Sequence, residues 1–220
     1  MIDVKNTYET KDRWPLKITK LESGESRAFD ATSGTYYLML HNASYYADDV
    51  KFENVNGSFC VNDHFTLKCL GDSSAVVIEY LGLRLLENRY FIQKELDMGN
   101  LSYIDGGTNT TAVNPGRLGD PVVNYVHFPA NMHQTLHTHP SHRVGLVLSG
   151  KGKTELDDEV MFEINKGDCF FMRRNELHNF ITEDEPVFLF VFAPDSGTGP
   201  TDDVNPLKIR TYIGQQRSLK

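Results

Sequence analysis

Short apolar runs, divided by glycine, asparagine, aspartate and serine, limit this chain more than any other feature of its sequence. Long stretches with a 3.6-residue period are scarce, and brief apolar runs bounded by turn formers are the pattern of β-strands. Candidate strands are 36–40, 50–52, 58–61, 75–81, 122–128, 144–148, 160–162, 169–172 and 187–192. The expected fold class is all-β. Residues 83–96 mix leucines, aromatics and charges, and suit a short helix or a strand.

Two of these runs carry a further constraint. Val144-Gly-Leu-Val-Leu and Val187-Phe-Leu-Phe-Val-Phe are apolar on both faces, whereas a strand with one wet face alternates apolar and polar residues. Both faces are therefore expected to be covered. The cover is either another part of the chain or a second subunit, the latter implying a homodimer.

Displacing the chain on itself by 110 residues aligns Asp48 with Asp158, Val50 with Val160, Phe52 with Phe162, Glu53 with Glu163, Leu67 with Leu177 and Val77 with Val187. The displacement is the separation of Gly57 and Gly167. Each copy runs strand, glycine turn, strand, turn, apolar strand, which points to a tandem duplication. The expected organisation is a first unit over 1–95, a connector over 96–119 rich in turn formers, and a second unit over 120–220. Within the last, Leu207-x-Ile209-x-Thr211-x-Ile213 alternates as a closing strand would.

The chemistry is concentrated in His133-Gln-Thr-Leu-His137-Thr-His139-Pro-Ser-His142-Arg143, where four of the eight histidines lie within ten residues. Side chains two apart on an extended strand share a face, so His137 and His139 converge on one point as metal ligands must. His178, in Gly167-Asp-Cys-Phe-Phe-Met-Arg-Arg-Asn-Glu-Leu-His178, is the candidate third ligand.

These two segments resemble the motifs of the cupin superfamily. The first motif is His-x-His, three or four residues, Glu, six residues and Gly, matched by His137, His139 and Gly150; the second is Gly, five residues, Pro-x-Gly, two residues and His, matched by Gly167 and His178. Arg143 stands in place of the glutamate, and Arg173 and Asn175 in place of the proline and glycine. The resemblance implies a double-stranded β-helix, the jelly-roll barrel of cupins, in two tandem units. The displacement sets Arg27, Phe29 and Lys68 opposite His137, His139 and His178, so the first unit is expected to be a degenerate one.

An imidazole-only site suits a divalent metal, Fe(II) favoured by the resemblance, with Zn, Ni, Mn and Cu open. Three protein ligands leave positions for substrate or dioxygen. Arg143 cannot ligate a metal. Pointing inward it would bind a carboxylate or phosphate beside the metal; turned outward by a bulge it would meet a surface acid, and the same bulge would offer His142 as a fourth ligand. His133 is either an acid, base or alternative ligand at the barrel mouth, or simply exposed. Arg173, Arg174 and Asn175 form a turn that is either solvated or in contact with substrate, and His127 is expected to be a satisfied core or edge histidine. The resemblance implies a dioxygenase acting on a small carboxylated molecule; isomerases and epimerases of sugars and non-catalytic binders are its other members.

The formal charge of -8 argues against nucleic acid and anionic membranes as partners; the small anionic molecule expected as partner is the one an inward Arg143 would hold. No run reaches the roughly 18 to 20 apolar residues of a membrane span, and the first residues lack the pattern of a signal peptide. Cys60, Cys69 and Cys169 have neither metal spacing nor an even number, which fits a reducing cytoplasm.

Overall fold

The computed structural model describes residues 1–30, 32, 34–83, 88–156, 161–205, 207, 212–213 and 216–217. The first unit is built from β1 (Ile2–Asp3), β2 (Thr7–Glu9), β3 (Leu16–Leu21), β4 (Ser26–Phe29), β5 (Gly34–Ala47), β6 (Val50–Val61), β7 (Phe65–Lys68), β8 (Ser74–Leu81) and β9 (Arg89–Gln93). The second is built from β10 (Leu101–Ser102), β11 (Thr108–Val113), β12 (Val122–Phe128), β13 (Arg143–Ser149), β14 (Lys151–Glu155), β15 (Met161–Asn165), β16 (Cys169–Met172), β17 (Ile181–Thr182) and β18 (Val187–Ala193). The all-β double-stranded β-helix expected from the sequence is the fold observed.

Pairing repeats between the units. β3 lies on β8 as β12 lies on β18, and the first half of β5 joins β8 to β6 as β13 joins β18 to β16. The second half of β5 pairs with both β6 and β7, as β14 pairs with β15 and β17. The corner between the halves of β5 is taken by Asn42 at φ 47°, while the corner between β13 and β14 is Gly150 at φ 82°. Glycine and asparagine adopt this left-handed conformation most readily. At Gly150 a side chain is also excluded, because a Cβ would lie 2.1 Å from the Pro186 carbonyl oxygen.

The 110-residue displacement thus links corresponding strands, but its anchor does not correspond: Gly57 lies inside β6, and Gly167 lies in the turn between β15 and β16 at φ 86°. Asp158 and Val160 lie outside the described residues. So does most of the tail expected to close the barrel; its Tyr212–Ile213 pairs with Gln216–Arg217. Part of the expected connector is strand, since β10 and β11 extend the second unit's sheet beyond β12. Its threonines favour extended structure, which its glycines and asparagines obscured. Of 83–96, residues Arg89–Gln93 form β9 on β6, and 84–87 lie outside the described residues.

One strand crosses between the units: β1 of the first pairs with β16 of the second, while β9 pairs with β6 at the edge of the first unit's own sheet. Between the two sheets lies one apolar layer holding Ile18, Tyr37, Met39 and Ile78 from one side and Leu146, Leu148, Phe190 and Phe192 from the other. Each barrel has a separate interior cluster: Leu38, Tyr45, Phe59 and Phe65 in the first, Val147, Phe170, Val187 and Leu189 in the second. This accounts for the doubly apolar strands. In β13, Val144, Leu146 and Leu148 face the other unit and Val147 faces its own barrel; in β18, Phe190 and Phe192 face out while Val187 and Leu189 face in.

Tyr37 and Phe192, both fully buried, meet across the layer with ring centroids 5.0 Å apart. Replacing Phe192 with alanine is expected to cost about 3 to 5 kcal/mol of unfolding free energy. Because both units share the layer, denaturation followed by the fluorescence of the single tryptophan, Trp14, and by far-ultraviolet circular dichroism should remain one coincident transition.

Candidate metal centre

The ligand cluster is set by backbone pairing. His137 and His178 are directly opposed in an antiparallel bridge and exchange both backbone hydrogen bonds, His137 N to His178 O at 2.9 Å and His178 N to His137 O at 3.0 Å. Opposed residues project to one face. His139, two residues on, projects to that face too, and its carbonyl accepts from Asn175 N at 2.7 Å. Ring centroids are 4.9 Å apart for His137 and His139, 4.6 Å for His137 and His178, and 5.1 Å for His139 and His178.

The nitrogens available from the three rings lie within 4.8 Å of one another, so the cluster can hold a metal ion. Nitrogens bound about 2.1 Å from one ion lie about 3 to 3.5 Å apart in tetrahedral geometry, and small ring rotations close the difference. The donor set is also prepared chemically. The Nδ1 of His137 is 2.9 Å from the Thr135 carbonyl oxygen, and that of His178 is 2.8 Å from the Glu176 carbonyl oxygen. Each Nδ1–H donates to a carbonyl, which leaves Nε2 with its lone pair free to ligate. Burial, followed by the charge of Arg143 and the neighbouring imidazoles, pushes His139 down to about 3. Burial is also the main cause holding His178 down at about 4. Both rings are neutral at ordinary pH, as ligation requires.

Arg143 points inward. It opens β13 on the barrel side, alternating with Leu146's outward face, and lines a cavity of about 270 Å³ together with all three histidines. Its Nη1 donates to the Ser141 carbonyl at 3.1 Å, the Ser141 hydroxyl at 2.8 Å and the His142 carbonyl at 2.8 Å. Among the described residues no carboxylate pairs with it. Burial lowers the guanidinium to about 10, and its charge persists at neutral pH. Two residues along, a Cβ on Gly145 would fall 2.0 Å from the Phe170 ring, so the glycine is what lets Phe170 lie across the cavity.

His142 is not a fourth ligand. It is buried on the opposite side of the strand, its Nε2 2.7 Å from Asp12 Oδ2, while its Nδ1 accepts from Arg174 N at 3.0 Å. Trp14 packs edge-on against it at 5.3 Å, so the side chain ties the two units together. His133 also departs from the catalytic expectation. The pairing from His133 opposite Ile181 to His137 opposite His178 gains one residue, which turns Gln134 inward and His133 outward. Its side chain is 69% exposed, 3.3 Å from Asn179 Nδ2 and 3.9 Å from Glu155. Arg173 and Arg174 lie on a solvated turn. Asn175, in place of the motif's glycine, keeps the glycine's left-handed conformation at φ 57°. His127 is buried, stacked on Phe188 and 3.3 Å from the Thr108 hydroxyl. The three cysteines are free and buried.

The cavity lining that sequence reasoning missed is Tyr103, Asn109, Asn124 and Gln134. Asn124 and Asn109 sit on the inward faces of β12 and β11, where alternation gives the direction once the strands are known. Nothing local singles out Gln134.

Residues 124–192 match the cupin domain model, and the second unit is a cupin domain. The whole chain has the fold of a cupin 2 conserved barrel domain protein from Leptotrichia buccalis, at 16% identity and TM-score 0.58, covering 88% of this chain and 89% of that one. It is similar in fold to AerE from Microcystis aeruginosa, at 9% identity and TM-score 0.59, over 87% of this chain and 95% of that one. Salicylate 1,2-dioxygenase from Pseudoaminobacter salicylatoxidans shares the fold at 11% identity and TM-score 0.54, over 82% of this chain and 68% of that one. No curated protein matches by sequence. Among the described residues no helix is long and apolar enough to cross a membrane.

Metal analysis of protein purified without a chelator or an immobilised-metal column should find one ion per chain. His178→Ala should weaken metal binding by more than the roughly 10- to 100-fold that loss of a ligand's supporting partner costs. Equal metal content in the wild type and this variant would remove the site.

Proposed function

We propose that the chain is a mononuclear metalloenzyme of the dioxygenase type, with Fe(II) held by His137, His139 and His178 and a small carboxylate held by Arg143. One observation carries this reading: the three imidazoles and an inward guanidinium, with no carboxylate partner among the described residues, line one cavity of about 270 Å³. A bound metal with three protein ligands supplies open positions for substrate and dioxygen and the redox chemistry that joins them.

The chain's own groups do the rest. Arg143 would repel a nearby cation; a carboxylate between them turns that repulsion into attraction at both ends. The guanidinium offers such a group a directional fork, and its contacts with Ser141 and His142 fix the fork's position. Phe128, Phe170, Phe180 and Val191 give the cavity apolar walls. Proton-abstracting chemistry of the isomerase kind is poorly served: no Asp, Glu or Lys lines the cavity, and its histidines are the ligand set. The fold likeness to salicylate 1,2-dioxygenase is compatible with the proposal but, at 11% identity, adds no evidence about substrate.

The test couples metal to anion. In the wild type a small monocarboxylate such as butyrate should tighten metal binding by about 5- to 150-fold, the usual range of linkage between sites. Arg143→Ala should lose this coupling. Arg143→Glu, which adds a ligating oxygen, should bind metal tighter and lose the carboxylate. Oxygen uptake by the Fe(II)-loaded protein with a panel of carboxylates separates an enzyme from a binder, for which coupling would persist without turnover. Metal affinities that are equal in all three proteins and indifferent to carboxylate would overturn the proposal.

A further inference from the structure

Gln134 is 1% exposed and lines the cavity, yet neither its Nε2 nor its Oε1 has a hydrogen-bond partner. Its backbone N–H is satisfied by the Phe180 carbonyl at 2.9 Å, so the segment is fixed while the amide end is left over. Asn109, on the wall formed by β11, likewise carries a buried Oδ1 without a partner. Leaving a buried polar atom unpaired costs more than a hydrogen bond gains. Three buried, orphaned atoms on two residues of one cavity wall describe the complement of a ligand: two acceptors and one donor.

We infer that Gln134 and Asn109 are specificity-determining residues that read a second, uncharged polar group on the substrate, which is therefore a small monocarboxylate carrying a hydroxyl or a carboxamide away from its carboxylate. This rests on the reading of Arg143 as the carboxylate holder. The far group must donate, to satisfy Gln134 Oε1 and Asn109 Oδ1, and accept, to satisfy Gln134 Nε2. A carboxamide supplies two donors and an acceptor, and a hydroxyl one donor and an acceptor. A second carboxylate offers only acceptors and would meet no second cation, since Arg143 is the one cationic side chain in the lining. An ammonium offers only donors and would meet no carboxylate. An apolar end would leave all three atoms orphaned.

The test uses the full-length protein without metal, with binding measured by calorimetry, so that it does not depend on activity. The probes are succinamate, 4-hydroxybutyrate, succinate, valerate and 4-aminobutyrate, together with the corresponding carboxamide, hydroxyl, carboxylate, methyl and aminomethyl benzoates, so that the result does not hang on one spacing. The carboxamide and hydroxyl members of at least one series should bind at least tenfold tighter than the apolar and doubly charged ones. Gln134→Leu, which keeps size and removes the orphaned amide, should fold at least as stably, erase that preference and favour the methyl probes. Gln134→Glu should shift preference to the amino probes. These shifts in ratio would not follow from a merely structural role. Arg143→Ala should weaken every probe alike.

Outcomes separate the two claims. If Arg143→Ala abolishes binding but selectivity is flat in the wild type, or is unchanged in both Gln134 variants, the inference falls and the carboxylate site stands. If the polar preference holds but Arg143→Ala has no effect, the carboxylate site falls and only the polar subsite remains. Binding of no probe overturns both.

Discussion

The apolar layer between the two sheets is the constraint on which the rest depends. A barrel of this size presents one large sheet whose outer face must be dry or polar, and here β13, β16 and β18 make it dry, with Val144, Leu146, Phe171, Phe190 and Phe192 all buried. Without the first unit that surface would be a broad exposed apolar patch. Covering it uses a sheet of the other unit, and β1 carries backbone pairing across the join. The site gains rigidity from this directly. Arg143 and Gly145 face the barrel on the same strand whose intervening residues are clamped in the layer, and the next residue back, His142, is tied to Asp12 and Trp14 of the first unit.

With the sheet fixed, alternation decides what reaches the interior. The His137 to His178 bridge places two ligands on one face, and period two brings His139 to it. The single-residue gain between His133 and His137 breaks the alternation there. That irregularity exchanges which of His133 and Gln134 looks inward, and so it determines that the cavity is finished by a neutral amide instead of a titratable ring.

What could be read in the sequence follows from the same physics. Short apolar runs bounded by turn formers revealed β12, β13, β16 and β18, and the doubly apolar runs revealed a covered sheet, because each signal is local. The histidine pair and the left-handed landmark at Gly150 were legible for the same reason. The replacement of glycine by Asn175 looked like a departure from the motif, yet it preserves the backbone angle that the position needs. Lys151–Glu155 was hidden because it is too polar to look like a strand, and Thr108–Val113 because its neighbours are turn formers. Which unit covers which face, and the inward turn of Gln134, depend on pairings between residues about 40 or more positions apart and leave no local mark.

The histidine cluster occupies one barrel, and the interior of the other is packed with rings. At two positions that the 110-residue displacement sets opposite ligands, Arg27 and Lys68 are exposed, their cations lying 5.5 Å from the Phe29 ring and 5.0 Å from the Tyr46 ring. The first barrel's interior is filled instead by rings: Phe29 stacks on Phe65 at 5.0 Å, and Tyr45 packs on Phe59 at 5.2 Å and on Phe65 at 5.6 Å. A cavity with buried polar atoms destabilises the barrel that contains it, through lost dispersion contacts and unpaired groups. A filled twin that shares an apolar layer offsets that cost without touching the site.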